Sequence, residues 1–248
     1  AREALSVWID GANGPRDWSF WVRVNPFGTG LTEADLKAVV RPGLDGIVLP
    51  KANGGEDVAR LSEMIDPLER AAGMGPGHVK VIVVATETAA AMFNLGSYAP
   101  AHPRLEALTW GAEDLAAVVG ASANKEADGN WSEPYQLARS LCLFAAANAE
   151  VPALDTLYAD FRDSEGLEQS CSRSRRDGFI GRLAIHPAQV AGIKRAFAPD
   201  DDEIGTARKI VAAFRQNPDL GTIGIDGKMY DIPHLKQARR VLAAIGED

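Results

Sequence analysis

The chain has 248 residues, 46% hydrophobic and 24% charged, the balance of a soluble globular protein, which excludes a disordered, collagenous or disulfide-stapled chain. Its 34 acidic and 26 basic residues leave a net charge of −8, the wrong sign for a protein whose main partner is a phosphate backbone, so nucleic acid is not an expected partner. Two cysteines, Cys142 and Cys171, are too few for a disulfide framework and point to a reducing cytoplasm, while no stretch approaches the roughly 18 apolar residues of a membrane span and no signal peptide opens the chain.

Residues 2–9 read as an amphipathic helix already under way, with Leu5, Trp8 and Ile9 on one side. Because residue 1 is Ala and not Met, the sequence is expected to lack its beginning. Short apolar runs then alternate with helical stretches. Residues 20–24 are the first run, and Thr32 with Asp35 predicts a capping box opening a helix. The second run, 46–49, precedes a helix through Val58, Leu61, Ile65 and Leu68. The third, 79–85, is the most β-branched and leads into a short helix from Ala89. The fourth is 105–110, followed by a loop rich in Gly, Asn and Asp and a helix started by Ser132 and Pro134, Pro suiting the first turn. Runs at 153–158 and 183–185 complete six strands, each followed by a helix.

Such alternation predicts a parallel sheet, since parallel neighbours need a crossover that is usually a helix. The apolar runs do not alternate with polar residues, as expected of strands covered on both faces. An open doubly wound sheet and a TIM (β/α)8 barrel both satisfy this pattern. Polar residues fall just past nearly every strand: Arg23 and Asn25, Lys51, Glu87, Glu113 and Asp114, Asp160, and His186. Barrels build their active sites at that rim, and no GxGxxG turn follows the first strand to favour a dinucleotide sheet. The prediction is therefore a TIM (β/α)8 barrel over residues 1–198, with its first two strands missing. Residues 199–248 form a separate C-terminal helix–hairpin–helix extension: DDDE at 200–203 opens one helix, 222–232 form a hairpin turned at Asp226-Gly227, and 235–245 form the last helix.

Glu87 and Asp114 follow neighbouring strands, so a barrel sets both carboxylates at one rim. Two carboxylates with room for water describe a Mg²⁺ site; capping of the helices that follow them is the alternative reading. Arg23, in RVNP, offers a planar fork to a substrate carboxylate or thioester oxygen, or an ion pair to a neighbouring strand. Lys51, in LPK, is a second cation or a partner for Glu87. His186 reads as a packed, hydrogen-bonded histidine. Asp155 with Asp160 and Arg175 with Arg176 read as solvated or capping charges, Cys142 as a small core residue, and Trp8, Trp18 and Trp21 as packing against the barrel wall.

Taken together the motifs resemble the citrate lyase beta-subunit-like family of the aldolase/citrate lyase superfamily. The matching segments are RVNP around Arg23, DGIVLPK ending at Lys51, VIVVATET around Glu87, WGAEDLAA around Asp114, DTLYADFRD (155–163), DGFIGRLAIHPAQV (177–190) and GIDGKMYDIPHLKQAR (224–239). They run in order over essentially the whole chain. The resemblance implies a trimeric barrel enzyme that makes or breaks a carbon–carbon bond in a hydroxyacyl-CoA such as citryl-, citramalyl- or malyl-CoA, with Mg²⁺. It carries Glu87 and Asp114 over as metal ligands, Glu87 also touching substrate, and Arg23 as the substrate-binding, catalytic cation. Asp231, in GKMYD, resembles an acid that some relatives lend to a neighbouring subunit's site as a catalytic group. A related thioesterase, hydrolysing malyl-CoA, would use the same site. Two alternatives stand beside it: an aldolase acting on free hydroxy-keto acids without CoA, and a non-catalytic barrel subunit. The departure is at the N-terminus, where relatives carry a strand with an Arg, a helix, and a second strand ending in acids.

Overall fold

In the computed structural model, which describes residues 1–247, six strands form one parallel sheet: β1 (Trp21–Arg23), β2 (Gly46–Leu49), β3 (Lys80–Val84), β4 (Leu105–Thr109), β5 (Ala153–Asp155) and β6 (Gly181–Arg182). Their spatial order is β1-β2-β3-β4-β5-β6, every neighbour parallel. An order that follows the sequence and never reverses contains no switch point, which separates this α/β sheet from the doubly wound one. Ile47, Leu49, Val81, Val83 and Leu108 on the central strands are fully buried, as parallel strands require. The chain divides into two compact units, Ala1–Ile193 and Lys194–Asp248, and the sheet lies in the first.

Helices α1 (Arg2–Gly11), α2 (Thr32–Val39), α3 (Gly55–Ala71), α4 (Ala89–Asn94), α5 (Ala112–Val119), α6 (Glu133–Asn148), α7 (Ser164–Asp177) and α8 (Gln189–Phe197) alternate with the strands, α8 running across the division between the units. In α3, Val58, Leu61 and Ile65 are buried at helical spacing. Trp21 packs across its register partner Gly46: a Cβ there would stand 2.1 Å from the Trp21 ring, so only glycine fits beneath it. No helix among the described residues is long and apolar enough to cross a membrane.

Several sequence expectations are corrected. Trp8 and Trp18 do not pack on the sheet; their exposures are 69% and 54%, Trp8 because only Ile9 of α1 is buried, Trp18 because it lies in the irregular segment before β1 and packs on Phe20 and Arg16 instead. Thr32 and Asp35 do not form a capping box. The Thr32 hydroxyl donates to the Asn25 carbonyl, and the Asp35 carboxylate accepts from the Asn25 backbone N–H and side-chain amide and from Arg2, so the pair ties the loop after β1 to α2. The last strand of the parallel sheet is β6 (Gly181–Arg182), not 183–185. Ile180 and Leu183 donate their N–H groups to the flanking carbonyls of β5, leaving Ile185 half exposed beyond the sheet. Strand β5 stops at Asp155, whose carboxylate accepts the next N–H, that of Thr156, in place of a ladder partner.

The second unit is built from α9 (Asp201–Gln216), β7 (Thr222–Ile225), β8 (Lys228–Asp231) and α10 (Ile232–Ala243). Asp200 and Glu203 close a capping box on α9. Strands β7 and β8 pair antiparallel through a two-residue turn at Asp226 and Gly227, both with positive φ as such a hairpin demands. The core of this unit is Ala207, Ile210, Val211, Phe214, Ile223, Leu235, Ala238 and Leu242.

Candidate active site

Glu87 lies three residues past β3 and Asp114 in the first turn of α5, after β4. The structure brings them together: each carboxyl is felt at the other, and both are held by Lys51. Lys51, two residues past β2, reaches both. Its backbone N–H donates to Glu87 Oε2 at 2.6 Å, and its Nζ lies 2.8 Å from Asp114 Oδ1. Three consecutive strand ends therefore meet at one point.

Glu87 is buried. Gly111, the residue before α5, packs against it so closely that a Cβ would stand 2.8 Å from Glu87 Cγ. The buried Thr86 hydroxyl fixes that glycine by accepting the Gly111 N–H at 3.0 Å. The two acids have opposite electrostatics. Burial pushes the Glu87 carboxyl up to about 7 and neighbouring Asp114 adds to it, against the Lys51 N–H and charge. Asp114 is held below the usual carboxylate range, foremost by its hydrogen bond to Lys51, with Glu87 and the charge of Arg23 adding and burial opposing. Arg23, the last residue of β1, is exposed and its charge is felt at Asp114.

This donor set fits Mg²⁺. Two hard carboxylate oxygens, one buried and drawn to a proton, hold an ammonium beside them, so the pair is short of positive charge. Mg²⁺ takes one or two protein carboxylates and fills its remaining positions with water or substrate oxygens. Among the described residues no group of three or more His, Cys, Asp and Glu lies together as a fuller cage.

The other candidates have local partners of their own. Asn25 is engaged by Asp35. Asp160 caps the turn at Arg162. His186 is exposed and not in the core, but it is packed and hydrogen-bonded: its ring stacks on Phe161, 4.4 Å between centroids, and its Nδ1 accepts from the Ala188 N–H at 3.2 Å. Asp231 belongs to the second unit, where its carboxylate caps α10 and accepts from the His234 N–H. That side chain, foremost through its hydrogen bond to His234, is held below the usual carboxylate range. Cys142 is fully buried, as expected of a core residue.

Asp155 is the main correction. It is not solvated but fully buried, accepting from Trp110 Nε1 at 2.5 Å, from Arg139 Nη2 at 3.1 Å, from Arg182 Nη2 at 3.0 Å and from the Ser174 hydroxyl. Burial works to raise its carboxyl, and the two arginines, Ser174 and Trp110 outweigh it, keeping it ionised. The sequence signal was its place in the apolar run ALDTLY, where a charge needs partners. Arg175 and Arg176 sit in the last turn of α7, where cations offset the helix dipole. A cavity of about 550 Å³ opens between α6 and α7 over Arg139, Asp155, Asp177 and Arg182. Asp155 and Asp177 already pair with Arg139, and Asp155 with Arg182, so its floor is neutralised internally and none of Arg23, Lys51, Glu87 or Asp114 lines it.

Residues 2–187 match the family model described as HpcH/HpaI aldolase/citrate lyase. An L-malyl-CoA/beta-methylmalyl-CoA lyase from Cereibacter sphaeroides is 30% identical over 256 residues, covering 97% of this chain and 76% of that protein. A (3S)-malyl-CoA thioesterase from the same species is 33% identical over 224 residues, covering 90% and 72%. Among solved structures, the protein CitE from Mycobacterium tuberculosis, in complex with magnesium, acetoacetate and coenzyme A, superposes with a TM-score of 0.70 at 31% identity, covering 92% of this chain and 78% of that one. With the matched model spanning the whole parallel sheet, the chain belongs to the HpcH/HpaI aldolase/citrate lyase family.

Proposed function

We propose that the chain is a Mg²⁺-dependent carbon–carbon lyase acting on a hydroxyacyl-CoA of the citryl-, citramalyl- or malyl-CoA class. The observation that carries this reading is the meeting of Glu87 and Asp114 at the ends of adjacent strands, beside Lys51 and within the field of Arg23. The sequential order of six parallel strands is compatible with part of a (β/α)8 barrel, whose C-terminal rim is where such enzymes assemble their chemistry. Relatives at 30–33% identity that act on malyl-CoA, and a neighbour binding magnesium and coenzyme A, support the substrate class.

In this mechanism Glu87 and Asp114 would hold the ion, which when bound would supply Lewis-acid polarisation of substrate oxygens. Arg23 directs its planar fork at the thioester oxygen or the substrate carboxylate and stabilises negative charge that develops there as the carbon–carbon bond breaks. Burial of Glu87 keeps water from one side of the acid pair and fixes its direction. Proton exchange at the acetyl-CoA carbon falls to Asp231 of a neighbouring subunit in a homotrimer. Held ionised, it takes a proton from the methyl group in the condensation direction. In cleavage the substrate hydroxyl gives its proton to solvent as the carbonyl forms, and the Asp231 carboxyl, having taken up a proton from solvent, delivers it to the enolate carbon.

Hydrolysis of the thioester at the same centre is the second reading, favoured by the 33% identity to a malyl-CoA thioesterase. The test is to supply Mg²⁺ with malyl-, citramalyl- or citryl-CoA and separate the products. Acetyl-CoA with a 2-oxo acid marks the lyase, and free CoA with the intact hydroxy acid marks the thioesterase. Turnover in E87A equal to that of the unaltered chain would remove the site from the mechanism. Turnover of free hydroxy-keto acids alone would replace the CoA reading with that of an aldolase.

A further inference from the structure

Three non-glycine residues among those described have positive φ: Lys51, Glu150 and Asp226. Two have a local cause. Glu150 follows the end of α6 and Asp226 turns the β7–β8 hairpin, places where the chain reverses direction. Lys51, at φ 54°, makes neither kind of reversal, and a long side chain rarely adopts that conformation. What the conformation achieves is contact with both acids by two different groups. The backbone N–H meets Glu87 Oε2 and the ammonium meets Asp114 Oδ1.

The two contacts differ in how easily they break. Glu87 is buried and its partner is main chain, so that bond is part of the fold. The Lys51 and Asp114 side chains are 44% and 43% exposed, so the ammonium can leave for water with little desolvation. An ammonium on Asp114 Oδ1 and a divalent cation on the same oxygen repel one another. Resting on the reading of Glu87 and Asp114 as the ion's ligands, we infer that Lys51 is a built-in counter-cation: its backbone N–H permanently orients Glu87, while its ammonium occupies Asp114 until a divalent ion displaces it. Lys51 is thus a positioning residue with two separable functions, and its charge sets the affinity of the site for the ion.

The test is calorimetric titration of Mg²⁺ into the whole chain, its K51M and K51Q variants, and K51R. Removing the charge while keeping a Cβ and the backbone N–H removes the competitor, so K51M and K51Q are expected to bind Mg²⁺ about 2- to 5-fold more tightly, the range of an exposed ion pair. K51R, which keeps the charge, stays near the unaltered chain, and the difference between variants shrinks in high KCl. A merely structural lysine predicts the reverse, with weaker binding in all three. Unchanged or weaker binding in both K51M and K51Q overturns the inference while leaving the site intact. Failure of the unaltered chain to bind Mg²⁺ at all would overturn the ligand reading of Glu87 and Asp114, and with it the inference.

Discussion

Trp110, directly after β4, donates its indole N–H to the Asp155 carboxylate at the end of β5, 2.5 Å away and wholly buried. The bond joins the strand leading into Asp114 to its neighbour, and through Arg139, Arg182 and Ser174 to α6, β6 and α7. D155N keeps the shape but removes the carboxylate charge between Arg139 and the buried Arg182, leaving Arg139 paired with Asp177. Breaking a buried pair in this way costs about 3–5 kcal/mol. W110F removes one hydrogen bond to a charged acceptor, about 1.5–3 kcal/mol. Urea unfolding of both variants checks the order, and D155N should lose the more stability.

A second buried pair sits at the opposite ends of the strands. Arg104, before β4, donates to Glu69 of α3 at 2.7 and 2.8 Å, and both side chains are almost fully buried. Burial alone would raise the Glu69 carboxyl, but Arg104 and the N–H groups of Val79 and Gly77 outweigh it and hold it below the usual range. A depressed folded-state value means the stabilisation is present above the unfolded-state value of about 4.3. It is lost as pH falls through the lower folded value. Urea midpoints measured from pH 7 down to pH 3 should therefore fall in the acid range, and E69Q should lack that part of the slope.

These two networks mark what the sequence left hidden. Strand β2 and the Asp226-Gly227 hairpin were legible because each is fixed by neighbours in the chain: a four-residue apolar run, and a turn needing positive φ. The meeting of Glu87 and Asp114 was legible too, since consecutive strand ends are adjacent in a parallel sheet. Asp155 and Glu69 were not, because their partners lie up to 45 and 35 residues away, and a charge looks solvated until its counter-charge is found. The two-residue strand β6 was misplaced for a related reason. Its register is set by the carbonyls of β5, not by the hydrophobicity of residues 183–185.

Asp231 has a structural duty that must be separated from any chemical one. Its carboxylate caps α10 through the His234 N–H, and His234 returns a contact to the Asp231 backbone N–H. D231A removes the cap and should lower the melting temperature. Asn is as good an N-cap as Asp, so D231N should melt near the unaltered chain while losing the charge. A fall in acyl-CoA turnover in D231N without a fall in melting temperature assigns Asp231 to proton transfer. Equal turnover in D231N and the unaltered chain leaves it as a cap.

Gly111 tests whether Glu87 must be held where it is. The backbone there is extended, φ −125° and ψ 121°, a conformation alanine adopts freely, so G111A introduces no main-chain strain. The added Cβ would stand 2.8 Å from Glu87 Cγ and 3.3 Å from Val84 Cγ1, and the Thr86 hydroxyl holds the Gly111 N–H in place. The acid has to move, because its side chain is the softest of the three. Overpacking of this kind costs about 1–3 kcal/mol, and misplacing a reacting group by about 1 Å can lower turnover about 100-fold. G111A should therefore remain folded in urea titrations and bind Mg²⁺ more weakly, with turnover reduced far more than its stability. Full activity in a folded G111A would mean that the position of Glu87 is not what the site depends on.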